Sequence, residues 1–266
     1  MCSKPPFRLL FAVLSLAGLL CACTIREDRS LCPCFLTLDF SGLDPEALAD
    51  SGCEEIVWTL VSGDTCIGGR IPVDELPPEH LVEVPREDAF LYVLAGDEGL
   101  FVPGEGLVIP EGSESPRLYA FAAVVETSRP ELSVPISLHK RYARLEIRFR
   151  EALRPGTECR LLGEVCGYDP MAEPLPGVFS LPVVPDGDGR CEVVLPAQAD
   201  ASLLLCLYRN GELERAFSLG TYILESGYEW EAVDLEDIFL EVDYLHAPVR
   251  YKVEQWKKTL AFSIAV

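Results

Sequence analysis

Histidine, positive charge and long apolar runs are all scarce in this 266-residue chain, and each scarcity removes a class of function. Three histidines occur, His80, His139 and His246, far apart and with no motif beside them. No imidazole cluster for metal or acid–base work is therefore written into the sequence, and surface or structural use is expected of each. No GxSxG elbow, HExxH helix or GxxxxGK(S/T) phosphate loop is present, which removes the commonest signatures of hydrolases, zinc proteases and nucleotide binders. Lys and Arg number 22 against 43 Asp and Glu, for a net charge of -21. Such a body repels nucleic acid and anionic lipid headgroups, so no nucleic-acid partner is expected and no attachment through basic patches. The apolar run at residues 9–20 (LLFAVLSLAGLL) is about 12 residues long where a membrane-spanning helix needs roughly 20, so it fits a removed leader better than a span.

What the chain does have is an export signal in three parts: Lys4 and Arg8, the apolar run, and Leu20-Cys21-Ala22 before Cys23. That last element resembles the lipobox of bacterial lipoproteins, in which the cysteine becomes the new N-terminus and carries acyl chains. The resemblance implies a signal peptide over 1–22, lipid on Cys23 and a tether over 23–33. Each buried methylene contributes roughly 0.8 kcal/mol, so several acyl chains hold a protein on a bilayer where one would not. The alternative is a plain secreted protein with a chance cysteine near its cleavage site. Thr24, Glu27 and Asp28 resemble the surface-export signals of Bacteroidales lipoproteins, which implies a lipid-anchored, surface-exposed place on the outer membrane.

Loss of 1–22 leaves 244 residues (266 − 22), enough for one large β domain or two ordinary ones. Of the eleven cysteines, Cys2 and Cys21 leave with the signal and Cys23 takes lipid, so eight remain: Cys32, Cys34, Cys53, Cys66, Cys159, Cys166, Cys191 and Cys206. An even count in an exported chain permits disulfides, in any of 105 connectivities, and the grouping before 67 and after 158 fits bonding within two units. Free cysteines packed as small apolar residues fit equally well.

The body reads as all-β. Residues 34–40 (CFLTLDF) alternate, with Leu36, Leu38 and Phe40 on one face, and Asp44-Pro45 then caps a short helical turn through Ala49. Further strands are predicted at 55–61, 81–84, 90–95, 117–125 and 132–138. The Gly-, Pro- and Glu-rich stretch 96–116 is predicted to be a long surface loop. A second series follows at 142–149, 159–164, 191–195, 203–208 and 213–219, with Asn210-Gly211 as a hairpin turn between the last two. A boundary near 139 separates domains over 34–138 and 139–266, each close to the ~100 residues of one sandwich. At the end of the chain, Leu260, Phe262, Ile264 and Val266 alternate with smaller residues after Lys257-Lys258. Such a strand either stays at the edge of its own sheet or pairs with the open edge of another molecule.

Residues 26–40 (REDRSLCPCFLTLDF) after Cys23, the ARLEIRF strand and residues 217–244 are together similar to the FimB-like fimbrial anchor and accessory lipoproteins of Bacteroidales. The resemblance implies two tandem transthyretin-like β-sandwich domains, attachment through Cys23, and a structural, non-enzymatic role at the base of a fimbrium or as an accessory subunit. It implies fimbrial partners joined by strand addition, with Leu260, Phe262, Ile264 and Val266 as the donor face. Stalk subunits of that family lose an N-terminal segment at an arginine, and Arg29 and Arg70 are the corresponding candidates; a base anchor keeps the segment.

Other chemistry reads as structural. Cys32-Pro33-Cys34 is not a CxxC, and in a strand both thiols share a face. Residues 186–189 (DGDG) lack the further ligands of a calcium loop and read as a reverse turn. Asp234, Glu236 and Asp237 read as a solvated acidic face rather than a glycosidase pair. No metal and no cofactor is expected. The rival functional reading is a glycan-binding lipoprotein of a nutrient-uptake system, with Trp58 and Trp230 as its candidate contacts.

Overall fold

The structure, a computed structural model, describes residues 32–97, 99–243, 249–255 and 258–264. Cys23, Arg29, His246 and Val266 lie outside them. Among the described residues no helix is long and apolar enough to cross a membrane.

In chain order the first half holds β1 (Cys34–Asp39), α1 (Pro45–Asp50), β2 (Glu55–Ser62), β3 (Thr65–Pro72), β4 (Glu79–Val84), β5 (Asp88–Ala95), β6 (Leu107–Val108), β7 (Tyr119–Glu126), β8 (Glu131–Pro135) and β9 (His139–Lys140). Alternation places the strands as expected: Cys34, Leu36, Leu38 and Phe40 are each at most 2% exposed. One sheet has the order β4-β1-β8, the other β3-β2-β5-β7-β9. Leu36 and Leu38 of the first pack with Ile56, Trp58, Leu60, Leu91 and Val93 of the second in one apolar core. Asp44 caps α1 by accepting hydrogen bonds from the Glu46 and Ala47 amides at 3.1 and 3.2 Å, satisfying two donors that a helix start leaves open.

The second half holds β10 (Tyr142–Phe149), β11 (Thr157–Tyr168), β12 (Pro174–Val183), β13 (Arg190–Pro196), β14 (Leu204–Arg209), β15 (Glu212–Phe217), α2 (Leu219–Glu225), β16 (Ile238–Val242), β17 (Val249–Gln255) and β18 (Lys258–Ile264). Its sheets run β12-β11-β14-β15 and β13-β10-β16-β17-β18 around a core that includes Leu145, Ile147, Leu161, Leu195, Leu205 and Leu240. Asn210 and Gly211 both take positive φ, 52° and 82°, as a two-residue turn matched to strand twist requires. The predicted strand at 213–219 stops at Phe217, and Leu219 opens α2.

The two halves repeat one topology. β1 pairs antiparallel with β4 and parallel with β8; β10 pairs antiparallel with β13 and parallel with β16. The order β3-β2-β5-β7 in one half answers β12-β11-β14-β15 in the other. The repeat is complete at β16, and β17 and β18 are added beyond it.

The stretch 96–116 departs from the surface loop expected of it. Its β6 pairs with β11, and Phe101, Leu107 and Ile109 are buried in the second core alongside Tyr92 and Leu94 of β5. Apolar residues spaced between glycines and prolines gave too short a pattern to register as a strand. They nonetheless dock this arm across the boundary between the halves.

Candidate functional site

Three features bear on function: the strand nearest the chain start, the terminal strand pair, and a cleft in the second half. β1 is the middle strand of its sheet, hydrogen-bonded to β4 on one side and β8 on the other. Its inner side chains form part of the first core, so β1 is integral to the fold. Arg70 sits within β3 opposite Val57, hydrogen-bonded into the sheet, with its guanidinium paired to Glu55. A chain held extended in a ladder is poorly presented to a protease, which disfavours cleavage there.

β18 pairs with β17 in the register Leu260↔Val253, Phe262↔Tyr251 and Ile264↔Val249. Leu260, Phe262 and Ile264 thus occupy alternate positions of β18. β18 is last in its sheet, so one edge of its backbone is unpaired among the described residues.

A cleft of about 670 Å³ opens between Arg141, Glu173, Asp200, Leu224, Tyr228 and Trp230. Trp230 is 7% exposed and belongs to the second core, its ring edge-on to Tyr228 at 4.7 Å between centroids. Tyr228 donates to the Glu236 carbonyl at 2.7 Å, and burial together with the nearby Asp237 and Glu236 charges pushes its phenol well up. Trp58 is also 7% exposed, packed in the first core with His80 5.5 Å away. Its indole lies over Gly69, where a Cβ would come within 2.9 Å of Nε1, so Gly69 makes room for the ring, while a Cβ on Gly68 would stand 2.6 Å from the Trp58 carbonyl oxygen.

The acidic run corrects one expectation. Asp237 is half-buried and paired: it accepts from Lys140 Nζ at 2.5 Å and from the Arg144 amide at 3.2 Å, and pairs with the Arg144 guanidinium at 2.9 Å. Burial pushes its carboxyl up, but the Lys140 hydrogen bond and the two cations outweigh burial and leave it below the usual carboxylate range. Asp234 accepts from the Lys140 amide at 2.8 Å and lies 3.6 Å from His139 Nδ1. These residues tie the strands at the junction of the halves.

All eight cysteines from Cys32 onward are free thiols, so the disulfide pairing entertained from their grouping is not seen. Cys34 and Cys53 are buried in the first core and Cys159 and Cys191 in the second, where they act as small apolar residues. Cys206 is buried as well. Burial pushes Cys159 up to about 11 and Cys191 up to about 12, the reverse of an activated nucleophile. Cys32 is exposed while Cys34 is fully buried, because the strand starts only at Cys34 and the shared face expected of the pair never forms. In the 186–189 turn, Asp186 accepts from the Asp188 and Arg190 amides, both at 2.9 Å, so its carboxylate is spent on the backbone. No group of metal-binding side chains occurs among the described residues.

No family model matches this chain, and no curated protein does. Solved structures do. The fimbrial anchor protein Mfa2 from Porphyromonas gingivalis is 13% identical, with 86% of this chain and 99% of that one covered at a TM-score of 0.60. The chain has that fold. A candidate polysaccharide-binding protein from Bacteroides thetaiotaomicron matches at 11% identity, 87% and 98% coverage and a TM-score of 0.60. A candidate adhesin from Bacteroides ovatus matches at 12% identity, 90% and 97% coverage and a TM-score of 0.59. Likeness over nearly the full length of each neighbour means that both halves take part in it.

Proposed function

We propose that this protein is a non-enzymatic fimbrial anchor or accessory subunit, held on the outer membrane by acyl chains at Cys23 and joined to a neighbour through its C-terminal strand. The observation that carries the second half of this reading is topological. The sheet-pair repeat closes at β16, so β17 and β18 are surplus to it and occupy a sheet edge. Strands that a fold does not need for its core are the ones able to pair elsewhere, with backbone bonds giving adhesion and alternate side chains giving fit. The likeness to the anchor protein Mfa2 supports the role, and the central place of β1 supports an anchor that keeps its leading segment.

Deletion of residues 259–266 tests it. The truncated protein is expected to fold and stay with the membrane fraction while losing co-purification with fimbrial subunits. Co-purification at the wild-type level would exclude strand donation.

A glycan-binding role is the second reading. The cleft beside Trp230 and the candidate polysaccharide-binding neighbour favour it; the burial of both Trp58 and Trp230 disfavours it. Saturable binding on a glycan array, lost in a folded Trp230→Ala variant, would transfer the assignment to that role.

A further inference from the structure

Two side chains that line the cleft of the second half, Trp230 and Gln198, each hold a buried polar atom that the fold leaves unused. Trp230 Nε1 and Gln198 Oε1 are shut off from water and have no hydrogen-bond partner among the described residues. Their side chains are deeply buried, Trp230 at 7% exposure and Gln198 at 2%. The indole can only donate. The amide is held the right way round, because Gln198 Nε2 donates to the Pro196 carbonyl at 2.8 Å, a place its oxygen could not take. Gly163 of β11 keeps the space beside Oε1 open, since a Cβ on it would stand 3.2 Å from that oxygen. A buried donor and a buried acceptor without partners are costly, and native folds retain them where something else satisfies them.

The rest of the lining says what that something is. Arg141 is already engaged, its Nε donating to the Ala172 carbonyl and its Nη2 paired to Glu173, both at 3.0 Å. Asp200, Glu229 and Glu231 add carboxylates, so the cleft repels anions. Carboxylates are acceptors and favour an occupant rich in hydroxyl donors, which a sugar supplies from most of its carbons and a neutral peptide does not. Pro174, Ala199 and Leu224 give an apolar wall fit for a methyl group. An acetamido group combines the three complements: a carbonyl oxygen for the indole, an N–H for the Gln198 oxygen and a methyl for the wall. The volume of about 670 Å³ falls within the roughly 300–1,000 Å³ of small-molecule sites.

We infer that this cleft binds a neutral N-acetylated amino sugar, whose acetamido oxygen accepts from Trp230 Nε1 and whose acetamido N–H donates to Gln198 Oε1. The inference rests on the glycan reading of the cleft and narrows it to one sugar class; it is independent of strand exchange.

The test titrates the full-length protein, labelled with ¹⁵N, with chitotriose, with cellotriose, which lacks the acetamido groups, and with the capped peptide N-acetyl-trialanine amide. The Trp230 indole signal is assigned by its loss in Trp230→Phe. The expected result is a saturable downfield shift of that signal with chitotriose and none with the other two. Calorimetry should show chitotriose affinity lower by about tenfold or more in Trp230→Phe and in Gln198→Met, which keeps the side-chain length but not the acceptor. Circular dichroism of both variants separates loss of binding from loss of fold. Wild-type affinity in a folded Gln198→Met variant would overturn the proposal. Equal binding of cellotriose would overturn the acetamido assignment and leave the glycan reading standing, whereas binding of neither sugar would overturn both. A shift with the peptide alone would turn the cleft into a peptide site and likewise overturn both.

Discussion

Gly167 of β11 lies so close to Leu107 of β6 that a Cβ built on it would stand 1.9 Å from the Leu107 carbonyl oxygen. The fit is reciprocal, since a Cβ on Gly106, at φ +97°, would stand 2.2 Å from the Tyr168 carbonyl. Tyr168, fully buried with its phenol pushed up to about 12 by burial, donates to the Arg141 carbonyl at 2.6 Å directly beside this contact. The arm from the first half is thus seated on the second by backbone approach that only glycine permits.

Gly167→Ala is therefore expected to unseat the arm. Overpacking of this kind costs about 1–3 kcal/mol, which corresponds to roughly 2–12 °C in melting temperature for a chain of this size. Gly187→Ala, where a Cβ meets nothing within 4 Å, serves as the control and should move the midpoint little. Calorimetry of the two variants decides the point, and equal midpoints would refute the role given to Gly167.

Asp237 predicts an acid-sensitive junction. Its folded-state carboxyl titrates below the unfolded value of about 3.9, so its stabilisation is fully present above that value and fades as pH falls through the folded pKa. Asp237→Asn should cost about 1–3 kcal/mol at neutral pH, because Lys140 and Arg144 lose a shared partner. The gap between variant and wild type in urea unfolding should hold constant above pH 5 and narrow below pH 4. A gap unchanged down to pH 2 would show that the charge of Asp237 contributes nothing.

Trp230 is predicted to act as core. Its substitution by alanine should destabilise by about 3–5 kcal/mol, through loss of packing against Tyr228 and the surrounding apolar side chains. A variant that kept wild-type stability would show that the ring is not needed for packing and would strengthen the glycan reading.

Much of this architecture was legible because alternation is a strong local signal. Residues 142–149 and 55–61 bury every second side chain and emerged at nearly their observed bounds, and the Asp44 cap and the Asn210-Gly211 turn formed as their chemistry requires. What stayed hidden has physical causes. β3 was obscured by Gly68 and Gly69, whose missing side chains make room for Trp58. β12 carries Pro174, Pro176 and Pro182, which a strand tolerates only where the lost N–H faces away from its partner, and it is an edge strand. β16 follows an acidic run that reads as solvated until Lys140 and Arg144, nearly a hundred residues earlier, are brought against it. The repeat of one topology in both halves lies in pairing between strands distant in sequence, which no local pattern reports.

The proposed subunit is fastened at its front end and open to a neighbour at its rear, and mass spectrometry of the mature N-terminus tests the fastening directly. Purified from the membrane fraction, the protein should begin at Cys23, carry acyl chains on that residue and retain the segment leading into Cys34. Recovery of an unacylated chain from the culture fluid, or of one that starts beyond Arg29, would contradict the anchor.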